Sequence, residues 1–137
     1  MSTLNPYLTF GGNCVEAMNF YKDCLGGELK MNTLGDSTAG KDMPDYKDQI
    51  MHAELKSDGI VFYASDMMGP KSVVVGNAVN LCVNSTDEAW TKEVFAKLAE
   101  GGKVGHELKL EFWGDMFGDF TDKYGIRWMF NCSKPKA

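Results

Sequence analysis

Apolar residues along the chain change period several times, and each change marks an element. Leu4 to Phe10 (LNPYLTF) is a short apolar and β-branched run, which predicts a strand. After Gly11-Gly12, Asn13 is placed as a helix N-cap, with Glu16 three residues on to complete a capping box. Val15, Met18, Tyr21 and Leu25, with Phe20 beside them, follow helical spacing until Gly26-Gly27 stops the helix. Glu28 to Thr33 predicts a strand, and Ile50 to Lys56 with Ile60 to Ala64 predict a hairpin turning at Ser57-Asp58-Gly59. Between them, 35–49 is a long polar loop holding Pro44, either a functional flap or a mobile segment.

The pattern then repeats. Ala78 to Val83 predicts a strand, and Ser85-Thr86-Asp87-Glu88 a second capping box that opens a helix running to about Glu100 before Gly101-Gly102. Strands are expected at Val104 to Phe112, Met116 to Thr121 and Ile126 to Cys132, with a turn at 122–125. Two registrations support a duplication: Asn13-x-x-Glu16-Ala17 with Ser85-x-x-Glu88-Ala89, and Asp58-Gly59-Ile60 with Tyr124-Gly125-Ile126. The predicted class is α+β, with two tandem β-α-β-β-β modules at 1–65 and 78–132. A linker at 66–77 joins them, a tail follows at 133–137, and the whole is expected to form one structural domain. The valines Val73 to Val75 belong either to the end of the linker or to the strand that follows.

Composition narrows the function classes. With 44% hydrophobic residues in 137, the chain has material for a real core. A net charge of −5 without a basic cluster argues against a nucleic-acid partner. Neither a membrane-spanning apolar run nor a signal-like start is visible, so no membrane association and a cytoplasmic location are expected. Cys14, Cys24, Cys82 and Cys132 are scattered without a C-x-x-C pair and read as reduced, mostly buried thiols.

Three segments carry a resemblance: Asn5-Pro6-Tyr7-Leu8 with Gly12-Asn13-Cys14 and Ala17; Phe20-Tyr21 to Leu25-Gly26-Gly27-Glu28; and Phe112-Trp113 with Phe117-Gly118, Thr121-Asp122, Gly125 and Trp128-Met129. Together with the duplicated module, they resemble the vicinal oxygen chelate superfamily of glyoxalases, bleomycin-resistance proteins and extradiol dioxygenases, and within it the PhnB-like branch. The resemblance implies modules curled into a curved mixed-sheet cup, usually paired in a homodimer, with metal ligands drawn from the first and last strand of each module. Those positions fall here at Pro6 or Tyr7, Ala78 or Val79, Tyr63 and Met129, none of which offers a nitrogen or carboxylate. No metal ligand is therefore assigned at the family positions. A divalent ion relocated to His52 with Glu54, Asp115 or Asp119 is the alternative.

Candidate chemistry is correspondingly sparse. His52, inside an otherwise apolar strand, is the candidate general acid or base. His106, near Glu107 at a strand start, is expected to be exposed. The aromatic set Tyr7, Phe10, Tyr63, Trp113, Phe117 and Trp128 is consistent with a lined cup. Tyr7, Tyr63, Trp113, Phe117 and Met129 are the candidate ligand-binding residues. Asp115 and Asp119, flanking Phe117, are candidates for a cationic ligand, against a default of solvated turn carboxylates. An adenosyl-cofactor methyltransferase would need a glycine-rich turn opening a helix, whereas both Gly pairs close one. The favoured reading is a homodimer binding a small organic molecule without the usual metal. The alternatives are a metal-dependent lyase, isomerase or dioxygenase using His52, and an interaction module whose cavity its own side chains fill.

Overall fold

The computed structural model describes residues 2–36, 47–66 and 73–134. Most of the expected 35–49 loop, half of the 66–77 linker and the end of the tail lie outside the described residues. The chain forms two compact units, Met1–Val74 and Val75–Ala137. Each carries one β-α-β-β-β module, so the α+β class and the duplication hold.

The first unit contains β1 (Tyr7–Phe10), α1 (Cys14–Leu25), β2 (Glu28–Thr33), a short 3₁₀ turn at Leu34–Asp36, β3 (Ile50–Ser57) and β4 (Ile60–Asp66). Its sheet runs β1-β4-β3-β2, with β1 parallel to β4 and the other pairs antiparallel. Side chains alternate across a strand, so Phe62, Ala64 and Asp66 of β4 point one way with Leu8, Phe10, Ala53 and Leu55. Helix α1 covers that face with Cys14, Ala17, Met18, Tyr21, Cys24 and Leu25. Tyr21 meets Phe62 edge to face, ring centroids 5.8 Å apart. Val15, placed in the apolar stripe by spacing, is exposed, and Cys14 takes the inward position instead. Strand β1 begins at Tyr7 rather than Leu4, because Pro6 has no N–H for a ladder; its carbonyl still accepts from Tyr63 N at 3.0 Å.

The second unit contains β5 (Leu81–Ser85), α2 (Glu88–Ala99), β6 (Lys103–Leu110), β7 (Met116–Thr121) and β8 (Arg127–Cys132), in the order β5-β8-β7-β6. Its core joins Val83, Phe120, Trp128 and Phe130 to Thr91, Val94, Phe95 and Leu98 of α2. Phe95 stands edge-on to Phe120 at 4.9 Å and to Phe130 at 5.7 Å. Strand β5 starts three residues later than the expected Ala78, since Leu81 is the first residue paired with β8.

Both expected capping boxes are corrected. Asn13 occupies the N-cap of α1, but its side chain makes no capping bond. The work is done by Asp66, distant in sequence but paired with Phe10 at the end of β1; it is the buried last residue of β4, where the sequence reads as linker. Its Oδ1 accepts from Gly12 N at 2.9 Å and Cys14 N at 3.0 Å, while Oδ2 accepts from Ile50 N at 2.9 Å. A carboxylate there also complements the positive end of the helix dipole. In the second unit the cap is Asp87, two residues beyond Ser85, and its Oδ1 accepts from Trp90 N at 3.0 Å. Ser85 ends β5 and accepts from Asp87 N instead, so its hydroxyl shapes the approach to the helix rather than its first turn.

The glycine pairs that end the helices have a second role. A Cβ on Gly27 would lie 2.1 Å from Lys56 O, and one on Gly102 would lie 2.2 Å from Thr121 O. Each module therefore requires a bare backbone where the chain leaves the helix and passes its own sheet.

Candidate functional site

The alternation that buries Phe62 and Ala64 under α1 turns Tyr63 to the opposite, uncovered face, together with Tyr7, His52 and Glu54. Strand pairing sets Tyr7 opposite Tyr63 and Tyr63 opposite Glu54. Three of the residues selected from sequence meet there. The Tyr7 hydroxyl lies 3.2 Å from His52 Nδ1. His52 stacks on Tyr63 with ring centroids 5.5 Å apart, and Tyr7 is 6.1 Å from Tyr63 and 5.9 Å from His52. Tyr7 is 52% exposed, so this triangle of rings is open to solvent. Glu54 is turned to Lys56, Nζ to Oε1 3.5 Å, rather than to His52.

Phe10 and Trp128, grouped with the cup aromatics on sequence grounds, belong to the helix-covered faces and are buried. Trp128 Nε1 donates to Asp122 Oδ2 at 2.9 Å, while Asp122 Oδ1 accepts from Tyr124 N and Ile126 N and so fixes the β7–β8 turn.

On the uncovered face of the second unit, Trp113 and Phe117 come together with centroids 6.0 Å apart. Met129 shares that face but stands opposite Asp119, whereas Phe117 stands opposite Asn131. The first-strand partner of Met129 is Cys82, not Ala78 or Val79. Ala78 and Val79 precede β5, and Cys82 was not among the residues selected from sequence. The alternation around buried Val83, with Cys82 and Asn84 pointing away, is the signal that finds it. Partial burial raises the Cys82 thiol above its ordinary pKa, which keeps it protonated and soft.

His106 is exposed as expected, but it lies within β6, and its partner is Asp119 rather than Glu107: Nδ1 to Oδ2 2.8 Å, with His106 N donating to Oδ1 at 3.1 Å. Asp119 is thus a mid-strand carboxylate with a partner, and Asp115 accepts from Asn131 Nδ2 at 3.1 Å. Neither is a freely solvated turn residue.

Pairing thus sets two phenols, Tyr7 and Tyr63, together in one unit and a thiol beside a thioether, Cys82 and Met129, in the other. Phenols and a thioether are poor ligands for a divalent ion such as zinc, which takes thiolate, imidazole or carboxylate, and Cys82 alone would supply one ligand. Among the described residues, no three His, Cys, Asp or Glu side chains gather into a group able to hold one.

The chain belongs to the family described as 3-demethylubiquinone-9 3-methyltransferase, whose model matches residues 2–130. It is 32% identical to Protein YjdN of Escherichia coli K12 over 96% of this chain and 95% of that one. Among solved structures it is similar to protein PA1353 from Pseudomonas aeruginosa, at 38% identity and TM-score 0.84 over 98% of this chain and 100% of that one. A Bacillus cereus structure described as a putative 3-demethylubiquinone-9 3-methyltransferase, PhnB protein, matches at 25% identity and TM-score 0.77 over 96% and 100%. The fold alone is shared with the bleomycin resistance determinant of transposon Tn5, at 12% identity and TM-score 0.58 over 98% and 100%. This is the PhnB-like branch of the vicinal oxygen chelate superfamily. No helix among the described residues is long and apolar enough to cross a membrane.

Proposed function

We propose that this protein binds a small organic molecule on the uncovered sheet faces, without a metal at the family positions. In this reading Tyr7, His52 and Tyr63 form the principal surface, on the first unit, and Trp113, Phe117 and Met129 form a separate candidate surface on the second. The observation that carries the reading is the open triangle of Tyr7, His52 and Tyr63, where two phenols and an imidazole stand at positions from which the family would ligate a metal or beside them. Aromatic rings that face solvent rather than core are surfaces for planar ligands. The methyl transfer named in the family description finds no support in the chain's own architecture: both sheets are mixed, and the glycine pairs follow helices rather than open them. The working unit is a cytoplasmic homodimer, consistent with large exposed side chains such as Phe112, Leu110 and Val79 that a partner copy would cover.

The test is a thermal-shift screen of planar aromatic compounds on metal-free protein, with parallel calorimetric titration of zinc, nickel and manganese. Binding that survives chelator and is lost in Tyr63→Ala supports the reading. Stoichiometric metal uptake that depends on His52, with ligand binding only when metal is present, overturns it in favour of a metal-dependent lyase, isomerase or dioxygenase. Sedimentation equilibrium tests the dimer.

A further inference from the structure

The bond between Tyr7 and His52 carries more than position. A phenol is a good donor and a poor acceptor, because its oxygen lone pair is delocalised into the ring; a bare imidazole nitrogen is a good neutral acceptor. Across the 3.2 Å between the Tyr7 hydroxyl and His52 Nδ1, the favoured arrangement is O–H donating to nitrogen. The neutral imidazole then carries its proton on Nε2. Among the described residues Nε2 has no hydrogen-bond partner, so in this tautomer its N–H would be a free donor beside exposed Tyr7 and half-buried Tyr63.

The rest of this face selects against charge. Its ionised side chains pair off as Glu54 with Lys56 and Glu28 with Lys30, one cation to each anion. Resting on the organic-ligand reading above, we propose that His52 is a tautomer-fixed donor and that this face takes a neutral planar aromatic molecule bearing a carbonyl oxygen. The ring of the ligand lies against Tyr7 and Tyr63, and its oxygen accepts from His52 Nε2–H. Tyr7 acts as a positioning residue as well as a stacking surface.

The experiment uses three naphthalene probes of like shape: 2-acetylnaphthalene, 2-ethylnaphthalene and the 2-trimethylammonium derivative. Affinities for the full chain are read by tyrosine and tryptophan fluorescence, and the His52 ring nitrogens by long-range proton–nitrogen correlation. The proposal expects the proton on Nε2. It also expects the acetyl-to-ethyl affinity ratio to fall about 3- to 10-fold in His52→Phe, which keeps a ring on Tyr63 but removes the donor. Tyr7→Phe, which changes one oxygen, lowers the same ratio and releases the tautomer. A proton on Nδ1, a ratio unchanged in both variants, or tightest binding of the cation overturns the proposal while leaving an organic-ligand site standing. Failure of all three probes to bind overturns the proposal and the function it rests on.

Discussion

Removing the Asp66 carboxylate is expected to destabilise the protein more than removing any local helix cap. The side chain is 4% exposed and accepts from three backbone N–H groups belonging to the β1–α1 turn, the first turn of α1 and the start of β3. In Asp66→Ala, Gly12 is exposed and its N–H can turn to water, but Cys14 and Ile50 are buried. Two buried donors without acceptors cost about 1–3 kcal/mol each. Part of that is offset, because a carboxylate no longer has to be desolvated. The net loss is about 2–4 kcal/mol. Asp66→Asn keeps the shape but sets an amide N–H₂ against one set of donors, and falls in the same range. Asp87 provides the internal comparison. Its cap is local and exposed, with one bond to Trp90 N, so Asp87→Ala should cost about 1 kcal/mol. Urea unfolding followed by far-UV circular dichroism measures both. With a slope of about 1–3 kcal/mol/M, Asp66→Ala should lower the midpoint by about 1–2 M and Asp87→Ala by about 0.5 M. Equal shifts in the two variants, or a change below about 0.5 kcal/mol for Asp66→Ala, would refute the reasoning that a long-range carboxylate replaces the missing Asn13 cap.

Three further outcomes follow from the packing and burial of single residues. Gly27→Ala and Gly102→Ala each drive a Cβ into a backbone carbonyl, and should cost about 3 kcal/mol or abolish soluble expression, whereas Gly26→Ala, whose Cβ meets nothing within 4 Å, should cost clearly less despite its positive φ. Burial first, and then the Asp66 charge, push the Cys14 thiol up to about 12 from 9.0. A raised thiol pKa means the native state keeps a proton that the unfolded chain gives up. Stability is therefore unaffected below about pH 9 and declines between about 9 and 12, by up to about 1.4 kcal/mol per pH unit. Cys14→Ala should flatten that decline, and an unchanged slope in alkaline urea titrations would count against it. Of the four free cysteines only Cys82 is exposed, so one thiol per chain should react with an aromatic disulfide reagent in native buffer, slowly because its pKa is raised, and the others only on unfolding. Mass mapping of the first labelled site at any other cysteine would contradict the assignment.

Legibility from sequence followed the range of the interaction concerned. Strand β2 at Glu28–Thr33 and strand β7 at Met116–Thr121 coincide with their expected spans, because period-two alternation bounded by turn residues is written within a few positions. The helix-ending glycines and the duplicated turns at Gly59 and Gly125 were visible for the same reason. The identities of Tyr7, Tyr63 and Met129, which lie on the parallel strand pairs of their own units, were legible from sequence as well.

What lay outside its reach depends on pairing between distant segments. The Tyr7–His52 bond spans 45 positions and the Asp66–Cys14 bond 52, and no local pattern encodes either. Asp66 follows Ala64-Ser65 and precedes a Gly-Pro stretch, so it reads as linker until β1 and β3 are seen to converge on it. Cys82, rather than Ala78 or Val79, stands beside Met129, because a strand's facing residues are set by its register with a neighbour, and propensity does not fix register. Asp119 met His106 through the same cross-strand geometry, which sequence adjacency to Glu107 obscured. Local chemistry chose the elements and the kinds of side chain they carry. Tertiary pairing alone decided which of those side chains stand together, because hydrogen bonds and ring contacts act over a few ångströms in space whatever their separation along the chain.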